Sequence, residues 1–167
     1  MKLKAWIGWL LAVSLAAVLS GCRTAPSPGE APEAPPVPVS YTIDLMAEGR
    51  GLLEPFSLMT VTEPRRSSDR LGVAGLLVVH TDAALGDGDG YAAFDLACPY
   101  EWPSVTALEV RESAMPEVVC PKCGTVYDLT FGAGLPKEGK SSYPLWQYRV
   151  TVRETFLEIT NSGYFGH

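Results

Sequence analysis

Three features of the sequence predict an all-β domain. After Ser40 the apolar residues come in short runs cut by Gly, Pro and Asp. The stretch from Trp146 to Arg153 alternates strictly between apolar and polar residues. No segment beyond Ser40 keeps a helical period for more than a turn. Short runs with period-two patterning suit the strands of a small sandwich or barrel. The domain is expected to begin near Tyr41 and to fill residues 41–167.

Its elements read as follows. "DLMAEGR", Asp44–Arg50, suits a single helical turn. Phe56–Thr62 and Val73–Thr81 are strands. "DGDG", Asp87–Gly90, is a turn, because the further oxygen ligands and flanking helices of a calcium loop are missing. Tyr91–Ala97 returns after it, so these two strands form a hairpin. Ser104–Val110, Glu117–Cys120 and Thr125–Leu129 are further strands. In Leu145–Val152 and the residue after it, Trp146, Tyr148, Val150 and Val152 share one face, and Gln147, Arg149, Thr151 and Arg153 share the other. A two-residue turn at Glu154-Thr155 leads into a last strand, Phe156–Thr160.

The chain ahead of the domain has a different texture. Met1-Lys2-Leu3-Lys4 is a short basic segment, an apolar run follows, and Leu19-Ser20-Gly21-Cys22 closes it with small residues. A basic start, an apolar middle and a small-residue end make a signal peptide, residues 1–21. The Leu19–Cys22 string resembles the lipobox of bacterial lipoproteins. That resemblance implies cleavage before Cys22, lipidation of its thiol, and anchoring of the protein to a membrane of the cell envelope. In that family the residue after the lipidated Cys guides sorting; Arg23, rather than Asp, implies the outer membrane if the cell is Gram-negative. Residues 22–40, "CRTAPSPGEAPEAPPVPVS", hold many prolines and almost no bulky apolar side chains. Such a segment cannot bury enough surface to fold, and its prolines make it a semi-rigid tether. Loss of Lys2 and Lys4 with the leader takes the formal net charge from −6 to −8. An acidic domain without a basic patch excludes nucleic acid as a partner, since phosphate contacts need Lys and Arg.

Three cysteines remain for the folded part: Cys98, Cys120 and Cys123. Cys120-Pro121-Lys122-Cys123-Gly124 is the kind of turn that points two thiolates at one metal ion, as in a zinc knuckle. One knuckle is half a site, because zinc and iron–sulfur clusters both take four ligands. Export also opens the disulfide alternative, and an odd count leaves one thiol over, or all three on a metal. Only two histidines exist, His80 and His167, and no nucleophile–base–acid order can be assembled around them. No catalytic residue is assigned. Tyr100, Trp102, Tyr127 and Trp146 are expected to pack beside the loops.

The order of these pieces resembles the Rieske iron–sulfur family, from about Ala74 to Asn161. Cys98 matches the first cluster cysteine and Cys120 the second, while Gly124, Tyr127, Asp128 and Gly132 match the framework after the second loop. The resemblance implies two cysteine-bearing loops on a small antiparallel Rieske-like sandwich or barrel. It departs at the ligands: Tyr100 and Cys123 stand where the family has histidines, so the usual [2Fe-2S] centre with two Cys and two His is not expected. What the resemblance implies instead is a cluster-free domain stapled by a Cys98–Cys120 disulfide, with Cys123 a buried free thiol and a structural or partner-binding role. Closing that loop would stabilise by roughly 3 kcal/mol. Two alternatives stay open. One is a zinc or iron–sulfur site on Cys98, Cys120 and Cys123, with Tyr100 or His80 as accessory ligands, serving electron transfer to an envelope redox or scaffold protein. The other is thiol–disulfide exchange at Cys120 and Cys123.

Overall fold

The computed structural model describes residues 32–35, 37–81 and 90–161. The leader, Cys22, His167 and most of the Asp87–Gly90 turn lie outside them. Eleven strands follow in chain order: β1 (Val39–Asp44), β2 (Leu58–Val61), β3 (Arg70–Leu71), β4 (Leu76–His80), β5 (Tyr91–Asp95), β6 (Glu109–Val110), β7 (Glu117–Val119), β8 (Val126–Asp128), β9 (Leu135–Glu138), β10 (Gln147–Arg153) and β11 (Phe156–Thr160). Among the described residues the helical elements are two short 3-10 turns, Arg50–Leu53 and Pro99–Glu101. The all-β expectation therefore holds.

Seven strands make one antiparallel sheet in the order β2-β4-β5-β10-β11-β1-β3, and β6-β7-β8-β9 make a second. The expected β4–β5 hairpin is present, with Val78 opposite Ala93. The β10–β11 hairpin closes on Arg153 opposite Phe156, which leaves Glu154-Thr155 as its two-residue turn. Alternation explains how β4 and β5 serve two cores at once. Leu77, Val79, Ala92 and Phe94 face one cluster, and Leu76, Val78 and Ala93 face the other. In the second cluster Val61 of β2 meets Val39, Tyr41 and Ile43 of β1, and Leu71 of β3 packs against it. Strands from both ends of the seven-stranded order thus share one core, so the sheet curls nearly closed and shelters its edges.

The first strand takes in two residues ahead of Tyr41. β1 begins at Val39, and its residues alternate between a buried face (Val39, Tyr41, Ile43) and a more open one, set against β11 in register from Ser40–Thr160 to Asp44–Phe156. Two other strands were not expected, β3 and β9. β3 has only two residues, and β9 contains Pro136 and sits on the edge of the small sheet, where a missing N–H costs no ladder bond.

The other cluster lies where the two sheets meet. Phe94, Leu96, Leu108, Val118, Tyr127, Leu129 and Leu145 pack there with Cys98, Cys120 and Cys123.

Candidate metal centre

Two loops bring the three cysteines together. The first leaves β5 and is closed by hydrogen bonds from Cys98 N–H to Thr106 O (2.9 Å) and from Leu108 N–H to Leu96 O (2.8 Å). The second joins β7 to β8 as a compact knuckle. Cys120 N–H donates to Thr125 O and Gly124 N–H to Cys120 O, each at 2.9 Å. Gly124 makes this turn with a φ of 73°, a left-handed value that a side chain would strain. Lys122, between the two knuckle cysteines, pairs with Glu101 on the first loop, so an ion pair spans the two loops.

All three cysteines are buried, and their Sγ atoms lie within 4.8 Å of one another. Cys98 and Cys123 are 3.8 Å apart, and all three are free thiols. The Cys98–Cys120 disulfide expected from the family resemblance is not formed in this structure, whereas the burial expected for Cys123 is found. Three sulfurs held about 2.3 Å from one ion at tetrahedral angles lie about 3.8 Å apart. The Cys98–Cys123 separation is that tetrahedral edge.

Each sulfur has hydrogen-bonding partners of its own, and backbone N–H groups of Tyr100 and Thr125 add to those at Cys98 and Cys123. The Tyr127 hydroxyl is 3.6 Å from Cys98 Sγ, and Cys123 N–H points at Cys120 Sγ from 3.5 Å. Thr125 Oγ1 is 3.2 Å from Cys123 Sγ. The same oxygen accepts N–H groups from Lys140 (3.1 Å) and Ser141 (2.9 Å), which occupies both its lone pairs. Its own proton is left to turn towards Cys123, so Thr125 becomes a donor to that sulfur once the thiol ionises, the direction opposite to the thiol-to-hydroxyl contact of the free cysteine. Gly139 makes this possible: a Cβ there would collide with the Thr125 backbone, so only glycine lets the chain lie close enough.

The thiols are not equivalent. Burial, aided by neighbouring Cys120, pushes Cys98 up to about 12 from an ordinary 9.0. Burial also acts to raise Cys123, but hydrogen bonds from Thr125 and from the neighbouring sulfurs outweigh it and hold this thiol below its ordinary value. Burial drives the Tyr127 phenol far upward, so it stays protonated as a donor. Three converging sulfurs, each with hydrogen-bonding partners, suit thiolates around a cation, since outer hydrogen bonds orient metal ligands and spread their charge.

Neither accessory ligand expected from the sequence lies in the buried cluster of the three cysteines. His80 stands at the far end of β4, opposite Tyr91, which lies seven residues before Cys98. It stacks on the Tyr91 ring at 4.6 Å, and its Nδ1 is 3.1 Å from Glu54 O. The antiparallel hairpin puts it at the opposite end of the strand from the cysteines. Tyr100, in the Pro99–Glu101 turn, is 44% exposed and absent from the buried cluster. Tyr127, expected to pack beside the loops, is the tyrosine whose hydroxyl meets a sulfur. Of the other aromatics, Trp102 and Trp146 do pack together, edge to face at 5.8 Å. Thr125 and Gly139 were missed; nothing local marks either one, since they meet through the β8–β9 pairing.

The site does not fit a Rieske cluster. Its irons would need nitrogen ligands where Tyr100 and Cys123 stand, and ligands of two different irons would be held farther apart than these three sulfurs.

No family model and no curated protein matches this chain. Among solved structures it is similar to a chain in a complex of reduced oxygenase and oxidized ferredoxin in carbazole 1,9a-dioxygenase, at 19% identity over 65% of this chain and 83% of that one, with a TM-score of 0.41.

Proposed function

We propose that this is a Rieske-like domain that has exchanged the cluster for one thiophilic metal ion, held by Cys98, Cys120 and Cys123. The observation that carries the reading is the convergence of three buried, free sulfurs within 4.8 Å, each with a hydrogen-bonding partner. Zinc suits a site of three soft ligands at tetrahedral separations, with the fourth position open to an outside ligand. The role is then structural or partner-binding. Titration of the reduced protein with zinc or cobalt(II) tests it. One ion per chain, with all three thiols protected from alkylation and the sulfur-to-cobalt charge-transfer band of a thiolate site, is expected. Two irons with acid-labile sulfide would overturn it, and a Rieske-type paramagnetic resonance signal would overturn it as well.

A second reading rests on the same proximity. In an oxidising compartment Cys98 and Cys120 are close enough to be joined after a small rotation, leaving Cys123 buried and free. Peptide mapping of protein isolated without reductant separates the two readings. We further propose that the protein is a lipoprotein anchored through Cys22 at the cell envelope, in the outer membrane if the cell is Gram-negative, where it accompanies an envelope redox or scaffold protein. The Leu19–Cys22 string supports this. Mass spectrometry should find Cys22 as the acylated first residue; an unlipidated N-terminus elsewhere would refute it.

A further inference from the structure

The proline-rich stretch ahead of β1 does not end where the first strand begins. Trp146 is buried, and its indole Nε1–H donates to Pro32 O at 3.0 Å. Five residues beyond Pro32, Asn161 holds the same stretch again: its Nδ2–H donates to Val37 O at 2.9 Å, and its Oδ1 accepts Val39 N–H at 3.3 Å. Prolines have no N–H and leave neighbouring carbonyls without ladder partners, so a proline-rich backbone offers acceptors. An indole supplies one donor beside a flat apolar face. That pairing is how aromatic grooves grip proline-rich peptides in general. Trp102 packs edge-on against Trp146 and is itself 38% exposed, which extends the aromatic surface.

We propose that the Trp102–Trp146 pair is an intramolecular docking site for the chain's own proline-rich segment, seated there by the Trp146–Pro32 hydrogen bond. The seat bears directly on the candidate metal loops. Trp102 follows the Pro99–Glu101 turn that begins at Cys98, and Glu101 pairs with Lys122 inside the knuckle. Trp146 O also accepts Asp95 N–H at 2.8 Å, three residues before Cys98. The tether therefore braces the Cys98 loop as well as linking the domain to its anchor. Nine residues, 23–31, separate Cys22 from Pro32, so a lipidated Cys22 would lie at most about 35 Å from the docked proline.

The sequence supplies its own control. Glu30-Ala31-Pro32 and Glu33-Ala34-Pro35 are the same triplet, and a glutamyl endopeptidase can cut after either Glu. In the full chain, cleavage after Glu33 relative to Glu30 should be at least about tenfold slower than in a free peptide of residues 23–40, because a docked backbone must open before it is cut. Trp146→Phe keeps a ring but loses the N–H, and should return the ratio most of the way to the peptide's value. A native ratio equal to the peptide's overturns the proposal, and so does suppression that survives Trp146→Phe. A second measurement leaves the core untouched. Replacing Pro32–Pro35 by Gly-Ser-Gly-Ser should speed hydrogen exchange at the Trp146 indole by about tenfold or more. Unchanged exchange overturns the docking. Neither result depends on whether the cysteines bind a metal.

Discussion

Asp95 and Cys98 leave the same end of β5 three residues apart, both fully enclosed, and the protein treats the two in opposite ways. The Asp95 carboxylate accepts N–H groups from Val73 (2.7 Å), Ala74 (3.2 Å) and Ala97 (2.7 Å), and the Tyr148 hydroxyl at 2.6 Å. A carboxylate offers about four lone-pair sites, and here four donors fill them. Burial and the adjacent Asp95 charge raise Tyr148, which keeps its proton in that bond. The side-chain and knuckle contacts of the Cys98, Cys120 and Cys123 sulfurs are longer, from 3.2 to 3.6 Å, and the three sulfurs face each other. The first site is complete within the fold and ties the β3–β4 connection to β5 and β10. The second directs its remaining lone pairs at one point, which is the arrangement of a ligand set.

The largest expected effect tests the structural side. Asp95→Ala strands four donors in the interior and should cost about 3 kcal/mol or more in urea unfolding; Tyr148→Phe removes one donor and should cost about 1 kcal/mol. A loss under about 1 kcal/mol for Asp95→Ala would break the comparison, since the cluster would then be no more structural than the thiols.

Next in size is the ligand side. Cys98→Ser should weaken zinc binding at least about 100-fold while changing metal-free stability by less than about 1 kcal/mol. If metal-free stability falls as far as in Asp95→Ala, the cysteines are packing groups. The raised Cys98 thiol gives this test a pH dependence. Folding holds its proton more tightly than the unfolded chain does, so its contribution is complete below pH about 9 and is lost as pH rises towards about 12. Urea midpoints of the metal-free protein should fall over that window, and less steeply in Cys98→Ser. Zinc affinity should run the other way and rise with pH, because binding releases thiol protons.

Thr125→Val keeps the shape and removes the proton donated to Cys123. It should lower zinc affinity about tenfold and raise the Cys123 thiol, read by the pH dependence of alkylation in the metal-free protein. Unchanged affinity would mean that the hydroxyl serves only the Lys140 and Ser141 amides. The smallest effect belongs to Lys122→Gln. Its pairing with Glu101 is solvent-facing at the lysine, so stability should hold within error, and any change in metal release should fade with added salt.

Much of the scaffold was legible because its signals are local. β4, β5, β10 and β11 announce themselves by apolar runs or strict alternation, and Glu154-Thr155 by its place between two such runs. β1 carried the same signal, Val39-Ser40-Tyr41-Thr42-Ile43, but it follows directly on prolines and was divided between tether and domain. β9 hid behind Pro136 because an edge strand can do without one N–H. Asp95 could have been found as the lone acid in "YAAFDLA", a run otherwise wholly apolar. A charged group in such a run has to be matched by donors.

By itself, the sequence determined the strand-forming runs, the acidic charge, and a knuckle whose two cysteines and Gly124 are fixed within five residues. A short turn has little conformational choice. Tertiary structure alone decided what stands around it. His80 and Tyr91 face each other because hairpin register carries them away from the loops. Thr125 becomes a donor because residues 139–141 return across it after β9. Trp146 reaches Pro32 across 114 positions of sequence. Each of these is a contact between segments whose separation is set by sheet order and register, and no local run of residues encodes either.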